Sequence, residues 1–248
     1  NYLKHHYTQE NTVVCVAGAI AEQKVLSAVK RSFGRIKKSP APKFTPFDAM
    51  QVSPRVAIKE KKTDQTQLMI GVPSYPYRHK DEYVLEVLST ILGGGMSSRL
   101  FLEVREKRGL AYSVHAMVEK YPDTGYLAVQ AGVEHGKLEK AVSTILAEFR
   151  KIKNVKVSDS ELKKAKAHIK GTLTLALETS DAVAAHAATS LISLGKIRTL
   201  EEIIKGIDKV KAADVQRVAK DLLRTEGLNL AITGPHLHKD LFLKLLHI

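Results

Sequence analysis

An arginine and a tyrosine four residues apart, Arg108 and Tyr112, are the residues of this sequence best suited to bind a ligand. A guanidinium group is a planar fork that matches a carboxylate or peptide carbonyls, and a phenol adds one positioned hydrogen bond. The same spacing also fits a structural role, because arginine in a last helical turn favours the helix dipole and tyrosine is common in strands. Spacing alone leaves both roles open.

The surrounding stretch, residues 93–117 (GGGMSSRLFLEVREKRGLAYSVHAM), predicts the elements that position this pair. Its three glycines allow positive φ angles or a close approach of another segment. Ser97 or Ser98 is predicted to cap a helix, and Gly109 to end it in a left-handed conformation. The chain then alternates as a strand does. One predicted strand face carries Leu110, Tyr112, Val114 and Ala116. The pair therefore flanks a helix-to-strand corner.

Other chemistry is less well supported by the pattern. The glycine run lacks the lysine and hydroxyl of a phosphate-binding loop, which argues against nucleotide binding. His115 is more typical of a strand face than of a catalyst. The pairs His5–His6 and His236–His238 have no third metal ligand nearby in sequence, so exposed polar residues are the better interpretation. The single cysteine, Cys15, excludes an intrachain disulfide and a thiolate zinc cage.

Several stretches together resemble the C-terminal half of the pitrilysin/insulinase zinc peptidases, most closely the processing-protease, mitochondrial-processing-peptidase-like branch. They are SSRLF, REKRGLAYSV, ELKKAKAHIKGTLTLALETS, DKVKAADVQRVAKDLL, LNLAITGP and HHYTQENTVVCVAGAI. The resemblance covers nearly the whole chain. It implies an α+β fold, a mainly antiparallel sheet with helices packed on it, of the LuxS/mitochondrial-processing-peptidase-like domain repeat.

The resemblance also implies a function. In that family an arginine–tyrosine pair matching Arg108 and Tyr112 holds the backbone and carboxyl end of a peptide substrate. Zinc is the cofactor of the complete enzyme, and a zinc-bearing N-terminal domain or partner subunit completes the site. The implied role is the substrate-binding C-terminal half of a zinc metalloendopeptidase. The alternative is a non-catalytic scaffold or partner subunit of the same fold.

The zinc motif of the family, H-x-x-E-H, places two histidines on one helical face with a glutamate base between them. None of the ten histidines here has glutamate three residues later and histidine four residues later. No histidine is followed directly by glutamate, which excludes H-E-x-x-H as well. This chain alone is therefore predicted to bind no zinc and to be inactive.

An internal repeat predicts the domain organisation. TVVCVAGAIAEQKVLSAV and LNLAITGPHLHKDLFLKL both read as a strand, a glycine turn and a helix. The first copy, with a strand over residues 12–18 and a helix over 21–33, cannot bury its apolar face alone. Residues 1–38 are thus predicted to be the remnant of a preceding domain, 39–52 a proline-rich linker, and 53–248 a complete C-terminal domain. This remnant is predicted to pack on the missing domain, to pack on a second copy of the chain in a homodimer, or to stay mobile.

Composition bounds the remaining function classes. The chain has 248 residues, 44% of them apolar, and a formal net charge of +13. A basic balance can indicate nucleic-acid binding, but the lysines are spread over predicted helices and there is no tryptophan. We therefore interpret the lysines as solvated helix faces, with contact to an acidic partner surface as the alternative, and predict no nucleic-acid partner. The apolar runs are too short for a membrane span.

Overall fold

The computed structural model describes residues 2–40, 43–48, 50–236 and 238–248. The strands are β1 (Arg55–Glu60), β2 (Thr66–Ser74), β3 (Ala111–Lys120), β4 (Gly125–Val133) and β5 (Asn229–Gly234). The helices are α1 (Tyr2–His6), α2 (Glu22–Phe33), α3 (Glu82–Gly93), α4 (Leu138–Asn154), α5 (Asp159–Ala176), α6 (Ser180–Leu194), α7 (Leu200–Lys209), α8 (Ala212–Leu222) and α9 (Lys239–Leu245).

The chain divides into two compact units. One comprises Asn1–Phe47 and Gly171–Ile203, and the other comprises Asp48–Lys170 and Ile204–Ile248. The second unit contains all five strands, in the order β1-β5-β2-β4-β3. Only β1 and β5 run parallel, and the other neighbouring pairs of these strands are antiparallel. The predicted α+β fold with a mainly antiparallel sheet is confirmed.

Helices pack on the sheet of this unit and help to bury the apolar side chains of its strands. In β2, Leu68, Ile70 and Val72 are buried, whereas Gln67, which directly precedes Leu68, is exposed. Four helices contact four different strands: α3 contacts β3, α4 contacts β4, α8 contacts β2 and α9 contacts β1. Burial of each large apolar side chain contributes about 1.5–3 kcal/mol. The core therefore fixes the positions of the strand ends, where the Arg108–Tyr112 corner lies.

The first unit departs from one prediction. Residues 12–18 form no strand, although their β-branched composition favours one. A strand needs a hydrogen-bonded neighbour, and within the described part of the chain no strand pairs with this run. The helix predicted beside it is present as α2, with Leu26 and Phe33 exposed. The division into 1–38, 39–52 and 53–248 stays a prediction, and residues 41, 42 and 49 of that linker lie outside the described residues.

Candidate functional site

A π-helical turn, Phe101–Glu106, forms the helical side of the corner. The Lys107 N–H donates to the Leu102 carbonyl at 2.9 Å, five residues back, and the Leu110 N–H donates to the Val104 carbonyl at 2.8 Å. Such wide turns are rare and occur frequently at functional sites. The predicted serine cap is wrong: within the described residues the turn has no side-chain cap, and the Ser98 hydroxyl has no hydrogen-bond partner.

Gly109 turns the chain from this helix into β3. Its φ angle is +55°, which confirms the predicted left-handed conformation. The glycine run acts through close approach instead of positive φ. A Cβ atom on Gly93 would lie 2.3 Å from the backbone nitrogen of Ala116, so α3 ends directly against the β3 backbone. The two glycines thus fix both ends of the segment that carries Arg108.

Tyr112 lies in a β-bulge at the start of β3. The strand pairs Ala111 with Val133 and Ser113 with Gly132, which leaves Tyr112 as the extra residue. The predicted alternation is therefore wrong here: Tyr112 does not share a face with Val114, which is buried, and 76% of the Tyr112 surface is exposed. Bulges redirect side chains and are common beside active sites. Among the described strands β3 is an edge strand, so the phenol stands at the open side of the sheet.

Arg108 is held by Glu103 of the π-helical turn. Its Nη1 donates to the Glu103 carbonyl at 2.9 Å and also to the Glu103 carboxylate. Lys107 donates to the same carboxylate at 2.6 Å. Hydrogen bonds from Lys107 and then Arg108 lower the pKa of Glu103 to about 2. The Arg108 side chain is 40% exposed, so its guanidinium is oriented and still accessible to a ligand.

Arg105 is a residue that the sequence reasoning missed. Its guanidinium lies over the Tyr112 ring, 5.2 Å from the centroid, and over the Phe101 ring at 4.8 Å. These are cation–π distances, and they orient the exposed phenol. The i, i+4 spacing from Phe101 was a readable signal, but the contact with Tyr112 depends on the turn at Gly109. The corner thus presents two guanidinium groups and one phenol beside an edge strand.

The other candidates lie apart from this corner. His115 is exposed on β3, in register with Gln130 of β4. Across the described residues, no group of three histidine, cysteine, aspartate or glutamate side chains is arranged to hold a metal ion. No helix in that same part of the chain is both long and apolar enough to cross a membrane.

Two histidines meet at the buried hydroxyl of Thr66, the first residue of β2. Thr66 Oγ1 lies 2.8 Å from His135 Nδ1 and 2.7 Å from His236 Nε2, and His135 Nε2 lies 2.9 Å from the Thr63 carbonyl. A carbonyl only accepts, so His135 donates from Nε2 to Thr63. The Thr66 hydroxyl joins the two imidazole rings through one hydrogen bond to each.

The free energy of unfolding should fall in mild acid. Burial, and then the proximity of His135, lowers the pKa of His236 in the folded state. An unfolded histidine titrates near pH 6.5, so the unfolded chain binds more protons below that pH. Stability present above about pH 6.5 is lost as the pH falls toward the folded-state pKa. We expect the melting temperature to drop by a few degrees between about pH 7.5 and 5.5. His236→Gln should flatten this dependence, and the exposed His238→Gln should not. Equal slopes for both variants would contradict the assignment.

Comparison with known proteins agrees with this architecture. Residues 1–169 match the family model described as the peptidase M16 inactive domain. An uncharacterized zinc protease of Bacillus subtilis, YmxG, is 32% identical over 94% of this chain and 56% of its own length. The chain therefore spans about half the length of the curated relatives it matches, from 52% to 56%.

Solved structures share the fold. A protease from Helicobacter pylori superposes with a TM-score of 0.78 at 25% identity, over 88% of this chain and 54% of that protein. A peptidase M16 inactive domain from Pseudomonas fluorescens gives a TM-score of 0.76 at 20% identity, over 90% of this chain and 53% of that one. The family that the sequence resemblance implied is confirmed. This chain belongs to the peptidase M16 family, and the part of the family that it matches is the inactive domain.

Proposed function

We propose that this chain is the substrate-binding half of a zinc-dependent endopeptidase, and that a separate zinc-bearing domain completes the enzyme. The observation that carries the proposal is the exposed Arg108–Tyr112 corner beside the edge strand β3. The relatives named as zinc proteases support zinc in the complete enzyme. The sequence has no H-x-x-E-H motif, so the metal ligands belong elsewhere.

The corner can bind a peptide through charge and hydrogen bonding. Lys107 and Arg108 share the Glu103 carboxylate, so Lys107 can balance Glu103 when Arg108 turns toward a substrate carboxylate or carbonyl. The Tyr112 hydroxyl supplies one further donor, and Arg105 orients its ring. Holding one peptide segment at two points positions the scissile bond for the partner domain and lowers the entropic part of the barrier. The work of this chain is binding and orientation.

Peptide binding by this chain tests the proposal directly. A fluorescently labelled, unstructured peptide with a free carboxyl end should bind saturably, and Arg108→Ala should weaken its binding. Arg55→Ala is the matched control, because Arg55 is an exposed arginine on the opposite edge strand, β1. Equal affinities for the two variants, or no saturable binding, would favour a scaffold subunit and contradict the proposal.

The location of zinc gives an independent prediction. After dialysis this chain alone should hold far less than one zinc per chain and show no chelator-sensitive peptidase activity. Addition of a zinc-bearing domain from the same enzyme should produce that activity. Elemental analysis and a peptide-cleavage assay measure the two quantities. One tightly bound zinc per chain, with cleavage by this chain alone, would show that the proposed division of labour is wrong.

A further inference from the structure

A second small site lies in a cleft between α5 and the loop that follows α3. Its lining includes Gly95, Ser98, Glu161, Lys164 and His168. The cleft opens to solvent and contains none of the residues of the Arg108–Tyr112 corner. Its polar groups come from two elements that are far apart in sequence, so the fold, and not local spacing, brings them together.

Ser98, one of the residues that line the cleft, carries a polar group without a partner. Ser98 is only 6% exposed, and its hydroxyl oxygen makes no hydrogen bond. A buried unsatisfied hydroxyl is unfavourable by about 1–3 kcal/mol, so native structures seldom leave one without a partner. Ser98 lines the cleft, so an acceptor that reaches its hydroxyl from the cleft would satisfy it.

The cationic group that lines the cleft is Lys164. Glu161 is the only carboxylate among its lining residues, and both of its oxygens are bound by Arg99, at 2.6 and 2.8 Å. That ion pair neutralises the acid. Lys164 remains as a cation at the exposed end, with the exposed His168 one helical turn further along α5. Hydroxyl, ammonium and imidazole groups are all hydrogen-bond donors in forms present near neutral pH.

The shape of the cleft depends on a glycine. A Cβ atom on Gly95 would approach the His168 ring to 3.3 Å, so any larger residue there would narrow the space between the loop and α5. The Ser98 hydroxyl, the Lys164 ammonium and this gap point to a ligand that is small, anionic and rich in acceptors. We propose that the cleft binds a tetrahedral oxyanion of the phosphate class, with Ser98 and Lys164 as donors.

Titration of the chain with inorganic phosphate, followed by amide NMR at constant ionic strength, tests this site. We expect saturable shifts confined to the loop over residues 94–98 and the facing turns of α5. Ser98→Ala and Lys164→Ala should each weaken phosphate binding by about threefold to tenfold, the effect of losing one hydrogen bond. Lys163→Ala is the matched control, since Lys163 is exposed on α5 and does not line the cleft.

Three results would overturn the proposal. One is shifts that grow linearly with phosphate or spread over the whole basic surface. Another is equal weakening by Lys163→Ala and Lys164→Ala, which would mean nonspecific attraction to a chain of high positive charge. The third is acetate binding as tightly as phosphate, which would show that the cleft does not select a tetrahedral anion. Lys164 is an exposed residue, so the Lys164→Ala variant still tests the proposal if Ser98→Ala does not fold.

Discussion

Replacing Arg108 by alanine is expected to lower kcat/KM for peptides by roughly tenfold to a few hundredfold in the enzyme rebuilt from this chain and its zinc-bearing domain. That loss equals about 1.4–3 kcal/mol of transition-state binding, the usual worth of a hydrogen bond to a charged group. The guanidinium is 40% exposed and is held in place by Glu103, so it is oriented before the peptide arrives. Removing it abolishes one of the two proposed points of attachment.

Stability separates this functional loss from a structural one. Lys107 still pairs with Glu103 when Arg108 is absent, and exposed ion pairs contribute only about 0–1 kcal/mol. The melting temperature of Arg108→Ala should therefore stay close to that of the parent chain. A variant that loses several degrees, while the remaining folded enzyme keeps full activity, would show that Arg108 supports the fold.

Tyr112→Phe should act in the same direction through loss of one hydroxyl. Because both residues would hold one peptide segment, the double variant should lose less than the sum of the two single losses. Tyr121→Phe is a suitable control, since Tyr121 is also a partly exposed tyrosine but packs near Tyr126, away from the bulge. Strict additivity of Arg108→Ala and Tyr112→Phe would indicate that the two residues act on separate events.

The corner was predictable from sequence where local chemistry determines it. Gly109 takes a left-handed conformation because the chain must leave a helix and enter a strand, and glycine followed by alternating residues predicts both. The bulge at Tyr112 was not predictable, since it depends on the register between β3 and β4. The Glu103–Arg108 contact was missed for a related reason. It spans five residues of a π-helical turn, and the sequence pattern does not predict the hydrogen bonding of such a turn.

Residues 12–18 show the opposite failure. Their β-branched composition predicts a strand, and composition describes only how a residue fits a sheet that already exists. The described residues offer that run no neighbouring strand, so the backbone makes no ladder there. Gly93 lies between these cases. The sequence predicted that the glycine run permits close approach, but only the structure identifies the segment approached, the β3 backbone at Ala116.

The close approach at Gly93 leads to the largest expected effect on stability. A methyl group at this position would lie 2.3 Å from the Ala116 nitrogen and 2.9 Å from its Cβ, well inside van der Waals contact. The obstacle is backbone of a strand paired along its length with β4, so it cannot rotate away as a flexible side chain would. Gly93→Ala should therefore destabilise the chain by about 2–3 kcal/mol, the upper part of the range for overpacked cores.

Helix propensity alone would make Gly93→Ala stabilising, so the sign of the change in the free energy of unfolding is informative. Alanine is favoured over glycine in a helix by about 1 kcal/mol, and Gly93 is the last residue of α3. Gly171→Ala is the matched control: Gly171 lies within α5, and an added Cβ meets nothing within 4 Å. Urea denaturation should show Gly171→Ala neutral or stabilised and Gly93→Ala clearly destabilised. If the two substitutions shift the urea midpoint equally, α3 does not pack against β3 at this distance. The glycine run would then not be explained by the contact that holds the Arg108–Tyr112 corner.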